Sequence, residues 1–301
     1  MKSKELNIFQ KIALEILWCV IFLLSMLPHC VRFGVLAPFV AFVVRRVGYR
    51  KEVVRDNIKN SFPEKSADEL QKIERRFYTI LSEVMVSFIS LASPFIKRDF
   101  LYGDYIGENA KQFREEITGK NWISLTSHFG LWEYYSLWPT FSGQTLIGVY
   151  HRLQNPLFDA LFKRLRALPY VVTVPLQDTV RFTMKHRDGV LGRNFTLGLI
   201  ADQSPIWRPD PKWYRFLNQD TIFYDGGEKI ALKLSLPAYF IYQERVAPGR
   251  YLFVAEKLYD GVEQVDEGEI TRRYIAALEA LIRKNPEMWL WSHRRWKHKR
   301  E

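Results

Sequence analysis

The stretch Asn121-Trp-Ile-Ser-Leu-Thr-Ser-His128-Phe-Gly-Leu-Trp-Glu133 joins a histidine to a carboxylate across a tight turn. Residues 121–127 are largely apolar or β-branched, as a core strand requires. Gly130 permits a sharp turn, and Leu131 to Trp138 reads as the first turns of a helix. Positions five apart on one helix differ by about 140° and share no face. If His128 lies before the helix and Glu133 in its first turns, the two side chains can converge. A carboxylate on one ring nitrogen sets the tautomer and leaves the other nitrogen free as a base. That is the hydroxyl-activating part of a catalytic triad without its own serine, so the hydroxyl could belong to a substrate. The competing reading is a satisfied His–Glu pair with no chemistry. The strand-end position favours chemistry, because ligand sites in α/β sheets lie beyond the carboxyl ends of strands. Ser127 is a poor nucleophile, since neighbours on a strand point to opposite faces. No G-x-S-x-G elbow occurs elsewhere.

Further residues invite a chemical reading. After the helix-start signal Asn155-Pro156, the stripe Phe158, Phe162 is continued by Arg166. A charge on an apolar line needs a partner or an anionic ligand, unless it snorkels to solvent. Asp202 and Gln203 end the apolar run Phe195 to Ala201, where the acid could pair with an arginine, hold a loop or simply close a strand. Asp225-Gly226-Gly227-Glu228 precedes an apolar helix and could cradle an anion, though turns use paired glycines routinely. His293 and His298 lack carboxylate or cysteine companions at ligand spacing, so no metal site is expected.

The elements that must position these residues alternate from about residue 121. Strands are expected at 121–127, 145–150, 170–174, 195–201, 236–242 and 251–256. Helices are expected at 131–138, 156–167, 178–187, 226–235 and 268–284. The alternation predicts an α/β fold, with a central, mostly parallel or mixed β-sheet flanked by helices. Ser66-Ala-Asp-Glu69 is a capping box that opens a long amphipathic helix over 66–94. Ser204 to Asp220 reads as a long aromatic loop, a lid or membrane contact. Ile12 to Leu27 and Val31 to Val44 form two apolar runs separated by Pro28 and flanked by lysines and arginines. Each is short for a span of about 20 residues. Basic flanks on both sides suit a shallow hairpin returning to the cytoplasmic face; a single tilted span and a buried helix pair are the rivals. The expected division is 1–50 as an N-terminal membrane anchor or hairpin and 51–301 as the catalytic domain. Within that domain 51–95 is helical and 96–301 is α/β.

The net charge of +11 implies an acidic partner, either anionic lipid or an acidic protein. No nucleic-acid-binding motif is present, so nucleic acid is the weakest candidate. Cys19 and Cys30 make neither a disulfide framework nor a metal site. The tail Trp289-Leu-Trp-Ser-His293-Arg-Arg-Trp-Lys-His-Lys-Arg300 mixes aromatics with positive charge. It suits lipid phosphates at an interface; a solvated basic tail is the alternative.

Taken together, these motifs resemble the lipid A biosynthesis acyltransferases, the late lauroyl/myristoyl transferases, within the glycerolipid acyltransferase superfamily marked by His-x4-Asp/Glu. The resemblance rests on Arg55-Asp-Asn57, Phe62-Pro63, Ser127-His128 through Glu133, Tyr150, Asn155 to Asp159, Arg166, Ala201-Asp202-Gln203 and Trp289 to Lys297. It departs at His151-Arg152, at Ser204 and around Glu228-Lys229. The resemblance implies a glycerolipid-acyltransferase-like fold and transfer of a fatty acyl chain from acyl carrier protein to a hydroxyl of a Kdo-bearing lipid A precursor. The work would be done at the cytoplasmic face of the inner membrane without a cofactor. His128 would be the general base and Glu133 would orient it. Arg166, Asp202, Gln203, Arg152 and Gly130 would organise the site or bind substrate, with backbone donors near Gly130 serving the oxyanion. Two alternatives stay open. One is another membrane lipid acceptor (a lysophospholipid, glycolipid or aminolipid), with acyl-CoA as a possible donor. The other is a peripheral membrane-binding protein without turnover.

Overall fold

The computed structural model describes residues 6–96, 110–207 and 209–300. Lys2 and Lys4, which flank the first apolar run, and the opening of the expected 96–301 segment after residue 96 lie outside the described residues.

The centre is a six-stranded sheet in the order β3-β2-β4-β1-β7-β8. Its strands are β1 (Trp122–Thr126), β2 (Thr145–Tyr150), β3 (Val171–Pro175), β4 (Phe195–Ile200), β7 (Ala238–Ala247) and β8 (Arg250–Tyr259). β1, β2, β3, β4 and β7 run parallel to one another, and β8 closes the edge antiparallel to β7. All five residues of β1 are buried, as befits a strand covered on both faces. The α/β class and the six expected strands therefore hold, and β7 and β8 extend beyond the expected bounds.

Three elements differ from expectation. The segment after Gly130 is a 3-10 helix, Trp132–Leu137, rather than an α-helix. The expected helix over 178–187 is a 3-10 turn, Leu176–Asp178, followed by the helix Thr179–Lys185. Within the expected aromatic loop lies a separate hairpin of β5 (Trp213–Phe216) and β6 (Gln219–Ile222). Its turn residues Leu217 and Asn218 both have positive φ, 47° and 63°. Leu-Asn is an unpromising pair for such a turn. Here tertiary bonds hold it: the Leu217 N–H donates to Glu279 Oε2 at 3.0 Å and Asn218 Nδ2 to the Ser61 carbonyl at 3.0 Å.

Aromatic packing secures the strand that carries the site. Trp122 is fully buried and donates its indole N–H to Gln144 Oε1 at 2.8 Å. Its ring meets Phe113, Trp138 and Tyr239 edge-on with centroids 5.4–5.7 Å apart. The long helix Ala67–Ser90 starts at the expected Ser66–Glu69 capping box and turns buried toward its end.

The first apolar run is the helix Ile8–Ser25, opened by a capping box between Asn7 and Gln10. The second continues from His29–Val31 through a π-helical turn, Arg32–Leu36, into Ala37–Val47. Neither is a buried soluble helix. Leu14, Leu17, Trp18 and Ile21 pack on the body. Ile8, Phe9, Ile12, Ile16, Leu23, Phe39, Phe42 and Val47 lie exposed. Glu15, midway along the first helix, pairs with Arg164 at 2.7 Å, and that guanidinium lies 4.2 Å from the Trp18 ring. The helix therefore lies along the body with one apolar face outward.

Trp122→Ala should cost about 3–5 kcal/mol, since it deletes a large buried ring and leaves a cavity among Phe113, Trp138 and Tyr239. The midpoint of denaturant unfolding should fall accordingly, with the slope unchanged.

Candidate active site

Parallel pairing of β1 with β4 aligns Thr126 with Ile200. The register continues past both strand ends, because the Ala201 N–H donates to the Thr126 carbonyl at 3.0 Å. Two residues on, His128 therefore faces Asp202. His128 Nδ1 lies 2.8 Å from Asp202 Oδ1, and the His128 backbone N–H donates to Oδ2 at 3.0 Å. The Trp289 indole N–H donates to the same Oδ2 at 2.7 Å. Burial alone would raise the Asp202 carboxyl. The His128 ring and the hydrogen bonds from His128 and Trp289 instead hold it below the usual carboxylate range. An ionised Asp202 accepting from Nδ1–H makes Nε2 the lone-pair nitrogen. Gln203 Nε2 sits 3.1 Å from it, which suits an amide N–H donating to that lone pair.

The expected partnership of His128 with Glu133 is thus corrected, because the carboxylate on the imidazole is that of Asp202. Glu133 is carried on the 3-10 helix after Gly130, is 5% exposed, and receives Arg166 in a two-pronged pair. Nε reaches Oε2 at 2.8 Å and Nη2 reaches Oε1 at 2.6 Å. Burial alone would lower the Arg166 pKa, but the Glu133 charge and hydrogen bonds raise it above its ordinary value. Arg166 accordingly has a partner and does not snorkel away.

Gly130 has φ +65°, and a Cβ there would stand 2.8 Å from Gln243 Oε1. Its N–H donates to the Met288 carbonyl at 3.0 Å, so it is a turn residue and not a free oxyanion donor. Gln243, 2% exposed, donates to the Leu131 carbonyl at 3.1 Å and braces the same turn. Arg152 is exposed and lies off the cavity, its charge acting on Asp159.

The C-terminal tail is only partly a solvated basic segment, with Arg294, Lys297, Lys299 and Arg300 exposed. Trp289, Trp291 and Arg295 are buried, and the segment braces the site from behind. The Leu290 N–H donates to the His128 carbonyl at 3.0 Å, and Phe129 bridges to Trp289. Asn57 Nδ2 donates to the carbonyls of Trp291 and His293 at 2.7 and 2.8 Å, tying the N-terminal helices to the same segment. Arg295 donates to Thr221 Oγ1 and the Ile222 carbonyl and lies 4.3 Å from the Phe223 ring centroid. Burial pushes its pKa down to about 10. Gln243 escaped the sequence reading because nothing local marks it, and Trp289 was read there as part of the tail and not as a partner of Asp202. Asp202 was marked by its place at the end of a core strand and by the family resemblance, but not as the partner of His128.

His128, Glu133, Arg166 and Gln203 all line one cavity of about 590 Å³. Its walls are mostly apolar, including Phe88, Trp132, Tyr135, Leu146, Phe162 and Val171. Gly148 and Gly198 pair side by side in the sheet beneath it. No atom lies within 4 Å of a Cβ built on Gly148, while one on Gly198 would press on Leu146 and Tyr135 at 3.1 and 3.3 Å. The paired glycines leave the sheet bare where the cavity crosses it. Of the departures noted from the family pattern, His151 lines this cavity. Glu228 does not. Its carboxylate is buried and caps the helix Glu269–Lys284 through the N–H groups of Gly268 and Thr271 and the Thr271 hydroxyl. Gly227 before it serves packing, since a Cβ there would stand 2.7 Å from Leu125 Cδ2. Among the described residues no His/Cys/Asp/Glu group could hold a metal ion.

A family model described as bacterial lipid A biosynthesis acyltransferase matches residues 1–298. The chain belongs to that family. Among solved structures, the 1-acyl-sn-glycerophosphate (LPA) acyltransferase PlsC from Thermotoga maritima is similar over 93% of this chain and 99% of that one, with 15% identity and a TM-score of 0.34. No curated protein matches the chain. The lipid A family acyltransferase described here is thus an enzyme of the acyl-transfer class, which removes the non-catalytic alternative. Its helix Ile8–Ser25 is long and apolar enough to cross a membrane.

His293, beside this centre, is held by burial at a pKa of about 4 against an ordinary 6.5. The unfolded chain binds the extra proton between those values, so stability is full above about pH 6.5 and falls as pH drops toward 4. His293→Asn should flatten that slope, read as the urea midpoint at pH 5 against pH 7.

Proposed function

We propose that this acyltransferase moves a fatty acyl chain from acyl carrier protein to a hydroxyl of a lipid A precursor, with His128 as general base. The observation that carries this reading is the His128–Asp202 pair at the wall of an apolar cavity able to take an alkyl chain. Nε2 accepts the acceptor hydroxyl's proton as its oxygen attacks the thioester carbonyl. Asp202 stabilises the resulting imidazolium. The tetrahedral intermediate collapses, the C–S bond breaks, and the thiolate takes the proton back from His128. The ester needs no covalent acyl-enzyme. Glu133 occupies Nε and Nη2 of Arg166 and fixes the guanidinium at the cavity wall. Nη1 remains to polarise the thioester carbonyl, a role in which a rigidly held donor is worth most. Gln203 yields its bond to Nε2 when the acceptor hydroxyl arrives.

The same reading puts the enzyme at the cytoplasmic face of the inner membrane. A helix of 18 residues spans about 27 Å, close to the bilayer core. The mid-helix Glu15–Arg164 pair, however, keeps it against the body, which supports a shallow interfacial hairpin over a separate span. The net charge of +11 suits an acidic carrier protein and anionic lipid. Acyl-CoA as donor and another membrane lipid as acceptor are the alternative substrates.

His128→Ala should abolish acyl transfer and leave membrane association intact; near-normal turnover in that variant would defeat the mechanism. Asp202→Asn should lower kcat about 10²–10⁴-fold and shift the acidic limb of the pH–rate profile. Glu133→Gln should lower activity without shifting that limb. A shift in the second variant and none in the first would restore Glu133 as the orienting carboxylate. Lipid mass spectrometry of a deletion strain identifies the acceptor.

A further inference from the structure

A second cavity, of about 160 Å³, lies away from the chemistry. It is lined by Arg45, Lys51, Arg55, Gln71, Glu74, Arg75 and Tyr78, so four cations meet one carboxylate. Three helices, Ala37–Val47, Lys51–Ser61 and Ala67–Ser90, bear the guanidiniums and hold them in place. Arg45 Nη2 donates to the Arg75 carbonyl at 2.8 Å and to Thr79 Oγ1 at 2.6 Å. Arg55 Nε donates to Glu74 Oε2 at 2.9 Å, and Arg75 Nη2 to Gln71 Oε1 at 3.2 Å. Lys51 is exposed and has no side-chain partner among the described residues. Two of the cations sit on neutral acceptors, Arg55 shares the Glu74 carboxylate and one ammonium is left over, so the concave site keeps a positive excess that suits an oxyanion.

Its surroundings identify the class. Arg45 stands in the last turn of the helix Ala37–Val47, which presents Phe39, Phe42 and Val47 outward as part of the apolar face. The basic cavity therefore lies where that apolar face gives way to charge, at headgroup depth for a face buried in lipid. A wall joins it to the active site. The Tyr78 hydroxyl lines the basic cavity and donates to the Tyr49 carbonyl at 2.9 Å, and Tyr49 lines the catalytic cavity with His128.

We infer that the cavity of Arg45, Lys51, Arg55 and Arg75 binds a phosphate of the lipid acceptor while its hydroxyl reaches His128. The inference rests on the proposed reading that the acceptor is a lipid A precursor, and it adds that this glycolipid carries a phosphate. Anchoring a remote charge orients the hydroxyl, and the anchoring energy appears as acceptor affinity.

The test uses the full-length enzyme in detergent micelles with the exposed pair Lys51→Ala and Arg75→Ala. For a phosphorylated acceptor, KM should rise about tenfold or more, with kcat and the KM for the acyl donor little changed. With the enzymatically dephosphorylated acceptor, wild type and variant should have equal KM values. Equilibrium binding of the phosphorylated acceptor to His128→Ala protein, with and without the pair of substitutions, should weaken by the same factor and needs no turnover. Equal KM values with the phosphorylated acceptor overturn the site. So does an equal rise with and without the phosphate. A rise confined to the donor KM assigns the cations to the carrier protein, and a loss confined to binding of phosphatidylglycerol vesicles assigns them to bulk lipid; each overturns the inference. Absence of transfer to any phosphorylated glycolipid by wild type counts against the proposed function, and the binding arm still decides the site.

Discussion

One carboxylate sets the geometry of this enzyme. Asp202 is 1% exposed and accepts from the His128 backbone, the His128 ring and the Trp289 indole. A buried carboxylate is costly unless its lone pairs are satisfied. These three donors come from β1's end, from the imidazole and from the C-terminal segment, so satisfying Asp202 also assembles those elements. The imidazole is left with its tautomer chosen and its Nε2 toward the cavity. The same arrangement explains why the C-terminal tryptophans are buried despite the basic residues around them. The segment is a brace, and Arg294, Lys297, Lys299 and Arg300 alone reach solvent among its well-exposed residues.

Around that carboxylate the structure separates two charge pairs that the chain interleaves. His128 and Glu133 are five residues apart, yet each takes a partner from elsewhere: Asp202 for one, Arg166 for the other. The turn at Gly130 causes the split. With φ positive and its N–H bound to Met288, it sends the chain into a 3-10 helix that buries Glu133 toward Arg166. A planar guanidinium held on two of its nitrogens is a fixed donor, whereas a lysine there would be a mobile charge. The two pairs then face one cavity, and the proposed mechanism gives them distinct duties, proton transfer and charge stabilisation.

The apolar face and the catalytic cavity share helices. Arg164 reaches the N-terminal helix, and Arg166, two residues on, reaches Glu133. Phe162 on the same helix meets Phe88 edge-on with centroids 4.9 Å apart, on the cavity wall. One short helix, Pro156–Leu165, thus links the exposed apolar face to the cavity. On the proposed reading such continuity matters, because alkyl chains entering the cavity must not cross water on the way in.

Much of this was legible in the chain. Six core strands, the capping box at Ser66, the paired apolar runs and the strand-end histidine all follow from local period and turn chemistry, which act over a few residues and leave their mark in sequence. The residues of the site were also named from sequence: His128, Glu133, Arg166, Asp202 and Gln203. What the chain alone could not decide was pairing. The partner of His128 lies 74 residues away and is set by strand register, and the hairpin turn at Leu217–Asn218 depends on Glu279 and Ser61. The burial of Trp289 and Arg295 depends on what the sheet end and β6 offer them. Residue types determine which groups can do chemistry, since that is a property of the side chain. Which group meets which is a property of distance, and distance exists only after the sheet has closed.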